Sequence, residues 1–271
     1  MSKPIDRRQA LTMFGTVGFG AVVAACGGDD KGGTATGNRD TGGTTSTTGA
    51  DTTSTSADSA ASAGTTAADL FETAGSCALT PEQAEGPYYL DIDRVRRDIR
   101  EDRQGTPLRL AIRVREDSSC QPVADAAVDI WHCDATGLYS GFEAASTGVG
   151  GGGQPGGGAS STDTTRYLRG TQITNAQGIV EFLTVYPGWY RGRTVHIHCK
   201  VHLNNAEVLT TQLYFDEKVT SAVFASQPYA SHSGRDTFNT DDGIFSEETI
   251  LSLSKDGSGY IGVINLDVKS A

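Results

Sequence analysis

Hydrophobic and polar residues alternate in the second half of the chain. Between residues 107 and 116, aliphatic side chains take every second position, and arginines occupy most of the positions between them. A period of two predicts a half-buried β-strand. Six further segments have the length and composition of strands: 126–133, 167–174, 178–185, 194–203, 207–215 and 260–268.

Helical periodicity is nearly absent from the chain. Only 91–101 and 217–226 are predicted to form short helices, and turn-forming residues separate most of the strand segments. Short strands divided by turns predict an all-β fold, a β-sandwich core with long loops and at most short helices. The Gly-rich run 148–158 is predicted to be a loop without structure of its own, and loops of this length are usually functional or disordered.

The N-terminal region differs in composition from the predicted sandwich. Arg7 and Arg8 precede a short apolar stretch that ends at Cys26, so residues 1–26 resemble a twin-arginine-type signal with a lipobox. Residues 27–75 are rich in Thr, Gly, Ser and Ala and are predicted to be a disordered linker. The folded domain is therefore predicted to span 76–271.

This organisation predicts an exported protein, either a membrane-anchored lipoprotein or a periplasmic or extracellular one. Contact with a membrane is expected only through a lipid on Cys26; the alternative is an ordinary signal peptide in which Cys26 is incidental. The net charge of −11 argues against a nucleic-acid binder, which needs a basic surface. The charge does not indicate an oligomeric state.

Export would also change the expected state of the remaining cysteines. Four lie in the predicted domain, and an even number outside the cytoplasm suggests up to two disulfides with three possible connectivities. Cys77 and Cys120 lie in polar, loop-like surroundings and are the first candidates for a pair. Cys133 and Cys199 lie on apolar strand faces, where buried free thiols are an equal alternative.

The strand predicted at 194–203 carries the most chemistry. Side chains two apart in a strand point the same way, so His196 and His198 present two imidazoles side by side at a spacing suited to one metal ion. Such a pair also occurs in zinc and copper sites and on polar strand faces. No Asp or Glu follows before Glu207, but two tyrosines precede the pair. Phenolate favours a hard, highly charged cation, and Fe³⁺ fits this preference.

Three motifs resemble those of the intradiol ring-cleavage dioxygenases, the family of catechol 1,2-dioxygenase and protocatechuate 3,4-dioxygenase. They are VDIWHCDATGLYS at 128–140, YPGWY at 186–190 and RTVHIH at 193–198, and 79–89 and 211–215 add weaker likenesses. The resemblance implies a non-haem Fe(III) enzyme that uses O₂ to cleave a catechol-type ring between its two hydroxyl-bearing carbons, giving a muconate-type diacid.

The resemblance also implies residue roles. It assigns four side chains to the metal: Tyr139, Tyr190, His196 and His198. It makes Tyr190 the ligand that leaves when substrate binds, directs Arg193 toward the substrate, and assigns Gln212 and Trp189 to substrate binding. Four other side chains are predicted to have no catalytic role: Trp131 and His132 in the core and at a strand end, His202 at the surface and His232 in a loop.

The chain departs from the family pattern between the second tyrosine and the first histidine. Five residues separate Tyr190 from His196, which is shorter than in the family, and Arg-Thr-Val replaces the usual Arg-Pro-Ala. A more open or differently walled pocket is expected, so the substrate is not identified beyond a catechol. Two other functions are compatible with the sequence: a non-catalytic tethered binding module, and a copper or zinc enzyme using the two histidines.

Overall fold

The computed structural model describes residues 70–71, 77–92, 94–146 and 161–269. These residues all fall within the second of the two units into which the chain divides, Gly64–Ala271. The predicted signal, nearly all of the predicted linker and the Gly-rich run 148–158 lie outside the described residues. No helix within the described ranges is long and apolar enough to cross a membrane.

Eight strands form two four-stranded sheets. The strands are β1 (Pro107–Glu116), β2 (Ala127–Trp131), β3 (Arg169–Ile173), β4 (Ile179–Val185), β5 (His196–Leu203), β6 (Ala206–Tyr214), β7 (Ser252–Asp256) and β8 (Gly259–Val268). One sheet has the order β4-β1-β8-β7 and the other β3-β2-β5-β6. Only the β1–β8 pairing is parallel among these neighbours.

The main hydrophobic core draws side chains from both sheets. The aliphatic residues of β1 meet those of β5, including Ile197, Cys199 and Val201, and all of them are fully buried. Burial of one face of each sheet against the other accounts for the alternation in the sequence. The prediction of an all-β sandwich is therefore confirmed.

Only one of the two predicted helices is present in the described part of the chain. An α-helix is present at Glu217–Phe224 (α2), where the Asp216 side chain accepts hydrogen bonds from two amides of the first turn. Of the other predicted helix, 91–101, residues 94–100 are extended instead, and single bridges join them to β3 and β4. Their backbone hydrogen bonds go to Thr171 and Leu183, so pairing with two sheet strands replaces the helix.

Two further elements are present that the sequence pattern does not predict. Strand β7 is polar and largely exposed, because it lies at a sheet edge and pairs only with β8. A single helical turn, α1 (Glu143–Ser146), follows the turn after β2. Short 3₁₀ helices at Tyr229–Ser231, Asn239–Asp241 and Glu247–Thr249 complete the connection from α2 to β7.

The expectation that His202 lies at the surface is wrong. Its side chain is buried on β5, and its Nε2 atom lies 3.2 Å from the Asp129 carboxylate on the neighbouring β2. The cysteines named above are free thiols, so the suggested Cys77–Cys120 disulfide is not formed in this structure. Cys133 and Cys199 are fully buried, as in the alternative of buried thiols.

Candidate metal centre

The four predicted ligands come from three places in the fold. Tyr139 lies in the turn after β2, Tyr190 in the loop between β4 and β5, and His196 and His198 at the start of β5. Antiparallel pairing of β2 with β5 sets Trp131 opposite His198. The turn after β2 therefore begins beside the two histidines.

A close approach of two loops brings the tyrosines together. The Gly188 amide donates a hydrogen bond to the Asp134 carbonyl, and a Cβ at Gly188 would lie 2.5 Å from the carbonyl oxygens of Asp134 and Ala135. Any side chain at this position would push the two loops apart. This contact places the Tyr139 and Tyr190 rings edge to face, with their centroids 5.6 Å apart.

The polar ends of these side chains converge. The Tyr190 hydroxyl lies 3.0 Å from His196 Nε2, which lies 3.1 Å from His198 Nε2. The centroid of the Tyr139 ring is 6.1 Å from that of His198. Tyr139, His196 and His198 are almost completely buried, and Tyr190 is partly exposed. Two phenols and two imidazoles thus surround one point that is accessible from the side of Tyr190.

Hydrogen bonding leaves these groups available to a cation. His196 Nδ1 lies 2.6 Å from the Thr194 carbonyl, which can accept only from a protonated nitrogen, so Nε2 carries the lone pair and directs it at the Tyr190 hydroxyl and His198. The buried Tyr139 hydroxyl faces the Tyr190 phenol but makes no hydrogen bond with any residue that the structure describes. A buried hydroxyl without a partner costs free energy, and a bound metal would remove that cost.

Burial keeps all four groups uncharged when no cation is bound. It raises the pKa of Tyr139 well above its usual value and raises the pKa of Tyr190, which the nearby Arg193 charge partly offsets. Burial also lowers the pKa of both histidines well below the usual range. The second cause is the Arg193 charge for His196 and the His196 charge for His198. Neutral imidazoles are ready to coordinate, whereas the phenols need a strongly charged cation to displace their protons.

The donor set bears on the type of metal. Within 70–71, 77–92, 94–146 and 161–269, no cluster of three or more His, Cys, Asp or Glu could hold a metal ion. The two histidines therefore lack the third nitrogen, thiolate or carboxylate ligand that a zinc site normally has. Tyrosine is the side chain that completes this set, and its hard oxygen fits Fe(III).

His198 is held on two sides. Its ring stacks on Trp131, with centroids 4.9 Å apart and an interplanar angle of 3°. On another side is the backbone of Gly86, where a Cβ would lie 3.0 Å from His198 Cε1. Gly86 belongs to segment 77–92, which precedes the sandwich and covers the histidines; the pattern of the sequence does not place it there.

Gly86→Ala is expected to lower the melting temperature more than Gly192→Ala. Both glycines have positive φ, +77° and +80°, so both variants carry the same strain of about 1–2 kcal/mol. Only the Gly86 variant also crowds His198, which adds about 1–3 kcal/mol, while Gly192 has no atom within 4 Å of its Cβ position. Thermal unfolding of the two metal-free proteins measures the difference. Equal melting temperatures would show that His198 is free to move.

Arg193 lies in the turn before β5, where two side chains hold its guanidinium. Its Nε atom donates to Asp242 Oδ2 at 2.8 Å, and one Nη atom donates to Gln212 Oε1 at 2.5 Å. The Gln212 side chain in turn donates to the Ala84 carbonyl at 2.7 Å. The second Nη atom makes no hydrogen bond with the described residues, so part of the guanidinium is uncommitted beside Tyr190.

Asp242 is a residue that the sequence analysis missed. Its buried carboxylate also accepts from the Thr194 amide at 2.9 Å, so it ties the turn as well as the side chain of Arg193. The residue sits just after a 3₁₀ helix in an irregular segment, and no motif in the sequence points to it. Only the folded chain brings it to the turn that precedes β5.

The remaining predicted residues lie away from this convergence. Trp189 packs in the main core, where its ring stacks on His232 and its Nε1 donates to the His232 carbonyl at 2.7 Å. Its substrate-binding role stays a prediction. His132 is buried at the end of β2 and bonded to Thr184 Oγ1 at 2.7 Å, in keeping with a strand-end role. Burial lowers the pKa of His132 to about 4.

Comparisons with known proteins identify the family of this chain. A family model described as Dioxygenase matches residues 84–231. An intradiol ring-cleavage dioxygenase structure from Tetranychus urticae is 34% identical, with a TM-score of 0.65, over 71% of this chain and 95% of that chain.

Two curated relatives match a shorter part of the chain. Chlorocatechol 1,2-dioxygenase from Pseudomonas putida is 27% identical over 49% of this chain and 52% of its own length. Catechol 1,2-dioxygenase 1 from Acinetobacter lwoffii is 30% identical over 49% of this chain and 45% of its own length. The chain thus spans about half the length of these curated relatives. Because the family model covers more than half of the chain and the Tetranychus urticae structure is matched over nearly its full length, this protein belongs to the intradiol ring-cleavage dioxygenase family.

Proposed function

We propose that this protein is a non-haem Fe(III) dioxygenase that uses O₂ to cleave a catechol-type ring between its two hydroxyl-bearing carbons. The product is a muconate-type diacid. The observation that carries the proposal is the convergence of two phenols and two neutral imidazoles on one buried point, with the Arg193 guanidinium beside it. A binding module has no need of this combination, which supports an enzyme over a tethered binding protein.

The residues present fit the metal that the family implies. Tyr139, Tyr190, His196 and His198 would hold Fe(III). Among the described residues the Tyr139 hydroxyl makes no hydrogen bond, and the unprotonated Nε2 of His196 faces the Tyr190 hydroxyl and His198 Nε2, two other members of the set. When bound, the ion supplies Lewis acidity and a template for a bidentate catechol.

Tyr190 is suited to exchange a proton with the substrate. It is the one phenol of the pair that is partly exposed, and its hydroxyl contacts His196 Nε2. Burial raises the pKa of Tyr190, so its phenolate would be basic enough to accept a proton from a catechol hydroxyl. Arg193 would face the ring and stabilise the negative charge that develops on it.

The test begins with the metal and the colour of the purified protein. We expect about one iron per chain and a red-brown colour from tyrosinate-to-iron charge transfer. Oxygen uptake is then measured with catechol, protocatechuate, hydroxyquinol and substituted catechols, and the products are identified as ring-opened diacids. A colourless, zinc-loaded protein that turns over none of these substrates after iron reconstitution would refute the proposal.

Catechol and chlorinated catechols are the first substrates to compare. The two curated relatives carry these names, and the same metal centre would serve either ring. The short connection between Tyr190 and His196 changes the wall of the pocket, so the ratio of kcat/KM values among catechols is the measurement that ranks them.

A further inference from the structure

Two cysteines far apart in the sequence meet at one end of the sandwich. The Cys77 thiol lies 3.4 Å from the carbonyl oxygen of Glu116, and the amide of Cys120 donates to the same oxygen at 2.9 Å. A second bond from the Glu116 amide to the Gln121 carbonyl closes this turn after β1. Both cysteines are thus anchored to one peptide group.

The two thiols are in contact with each other. Contact with Cys120 is the largest cause that raises the pKa of the Cys77 thiol, to about 11, and burial is the second. Cys120 is exposed and Cys77 partly exposed, so a soluble oxidant can reach the pair.

The other cysteines of the domain have no such neighbour. Cys199 is fully buried in the main core, whereas Cys133 belongs to a separate cluster with Trp131 and donates to the Gly188 carbonyl. Among these four cysteines, Cys77 and Cys120 are therefore the one pair that is both accessible to solvent and adjacent.

Cys77 begins the segment that covers the metal centre. Directly after it, the amides of Ala78 and Thr80 donate to Asp267 at the end of β8, at 3.0 Å and 2.9 Å. Further along the same segment, Gln83 binds the Gln212 amide and Gly86 packs on His198. Fixing Cys77 therefore fixes the start of one wall of the site, at the point where the predicted linker 27–75 ends.

We propose that Cys77 and Cys120 form a disulfide that clips segment 77–92 to the turn after β1. The exposed Cys120 thiolate attacks a disulfide oxidant, releases one thiol and forms a mixed disulfide. The Cys77 thiolate then attacks Cys120 Sγ and releases the second thiol. Both cysteines lose one proton, and the two electrons reduce the oxidant to two thiols. The clip holds the wall of the site in place when the linker is pulled or displaced.

The test uses the full chain with oxidised glutathione at pH 8.5 and with an excess of reductant. We expect non-reducing peptide mapping by mass spectrometry to show a Cys77–Cys120 cross-link after oxidation, and the melting temperature to be about 10 °C higher than in the reduced protein. Hydrogen exchange at the Ala78 and Thr80 amides is expected to become faster on reduction, whereas amides within β5 stay protected.

Variants provide the control. The double variant Cys77→Ser/Cys120→Ser is expected to have a melting temperature that does not depend on reductant, while Cys26→Ser retains the full dependence. Cross-linking between any other pair, or an oxidised wild-type protein in which both thiols still react with an alkylating agent, would overturn the proposal. These readouts do not depend on iron or turnover, so the disulfide stands or falls independently of the proposed activity.

Discussion

Arg193→Ala is expected to keep the iron and its colour but to lose ring cleavage by a factor of about 10²–10³, or roughly 3–4 kcal/mol of transition-state stabilisation. Arg193 is not among the four predicted ligands, and its guanidinium lies beside Tyr190, where its charge acts on the site. Removing it takes away a preset cation and leaves the donors in place. Iron content, the visible spectrum and kcat measured on the same preparation separate the two effects.

A matched control is available in the same turn. The Arg191 side chain is 76% exposed and approaches Asp236 only to 4.0 Å, so Arg191→Ala removes the same charge without touching the site. It is expected to keep wild-type kcat. Full turnover in Arg193→Ala would remove Arg193 from the catalytic residues. Equal losses in both variants would mean that net charge and not the position of Arg193 matters.

The same prediction extends to the group that orients Arg193. Asp242→Asn weakens the ion pair at Arg193 Nε but preserves the shape of the side chain, so it is expected to lower kcat by less than Arg193→Ala and to leave iron binding unchanged. Asp236→Asn serves as its control, since Asp236 contacts Arg191 and the Gly192 amide. A drop in kcat for both aspartate variants would assign the effect to the loop as a whole.

Tyr139→Phe is expected to lose iron affinity by at least about 10²-fold while leaving the metal-free protein as stable as the wild type or slightly more stable. The Tyr139 hydroxyl is buried and has no hydrogen-bond partner in the described part of the chain, so replacing it with hydrogen removes the free-energy cost of an unsatisfied polar group. The same hydroxyl is a predicted metal ligand. Removing a residue that only hydrogen-bonds to a ligand already lowers metal affinity by about 10–100-fold, and removing the ligand itself is expected to lower it at least as much. Stability and metal affinity therefore change in different directions.

Tyr229→Phe is the matched control for this variant. Tyr229 is equally buried, but its hydroxyl donates to the Tyr186 carbonyl at 2.6 Å and accepts from the Thr106 amide at 3.0 Å. We expect it to retain iron and to lose a few degrees of melting temperature, because a buried carbonyl and a partly buried amide lose their bond. Thermal unfolding of the metal-free proteins and titration with iron measure both quantities. A Tyr139→Phe protein with wild-type iron binding and spectrum would remove Tyr139 from the ligand set.

Local patterns in the sequence were sufficient for most of the fold. The seven predicted strands are present within a few residues of their predicted ends, because period-two alternation records the burial of one face of each strand. The pattern failed at the helix predicted for 91–101, where residues 94–100 are extended through bonds to Thr171 and Leu183. It also failed at β7, whose polar edge position leaves no alternation. In both cases the conformation depends on pairing with distant strands.

The candidate ligands could also be named from the sequence, since the spacing of His196 and His198 and the tyrosine motifs are local features. The sequence determined by itself the strand alternation, the residue types of the donor set and the family resemblance. Tertiary structure alone decided that Asp242 holds Arg193 and that Gly86 packs on His198. The physical reason is that these contacts join segments distant along the chain, and no periodicity within one segment records what will cover it.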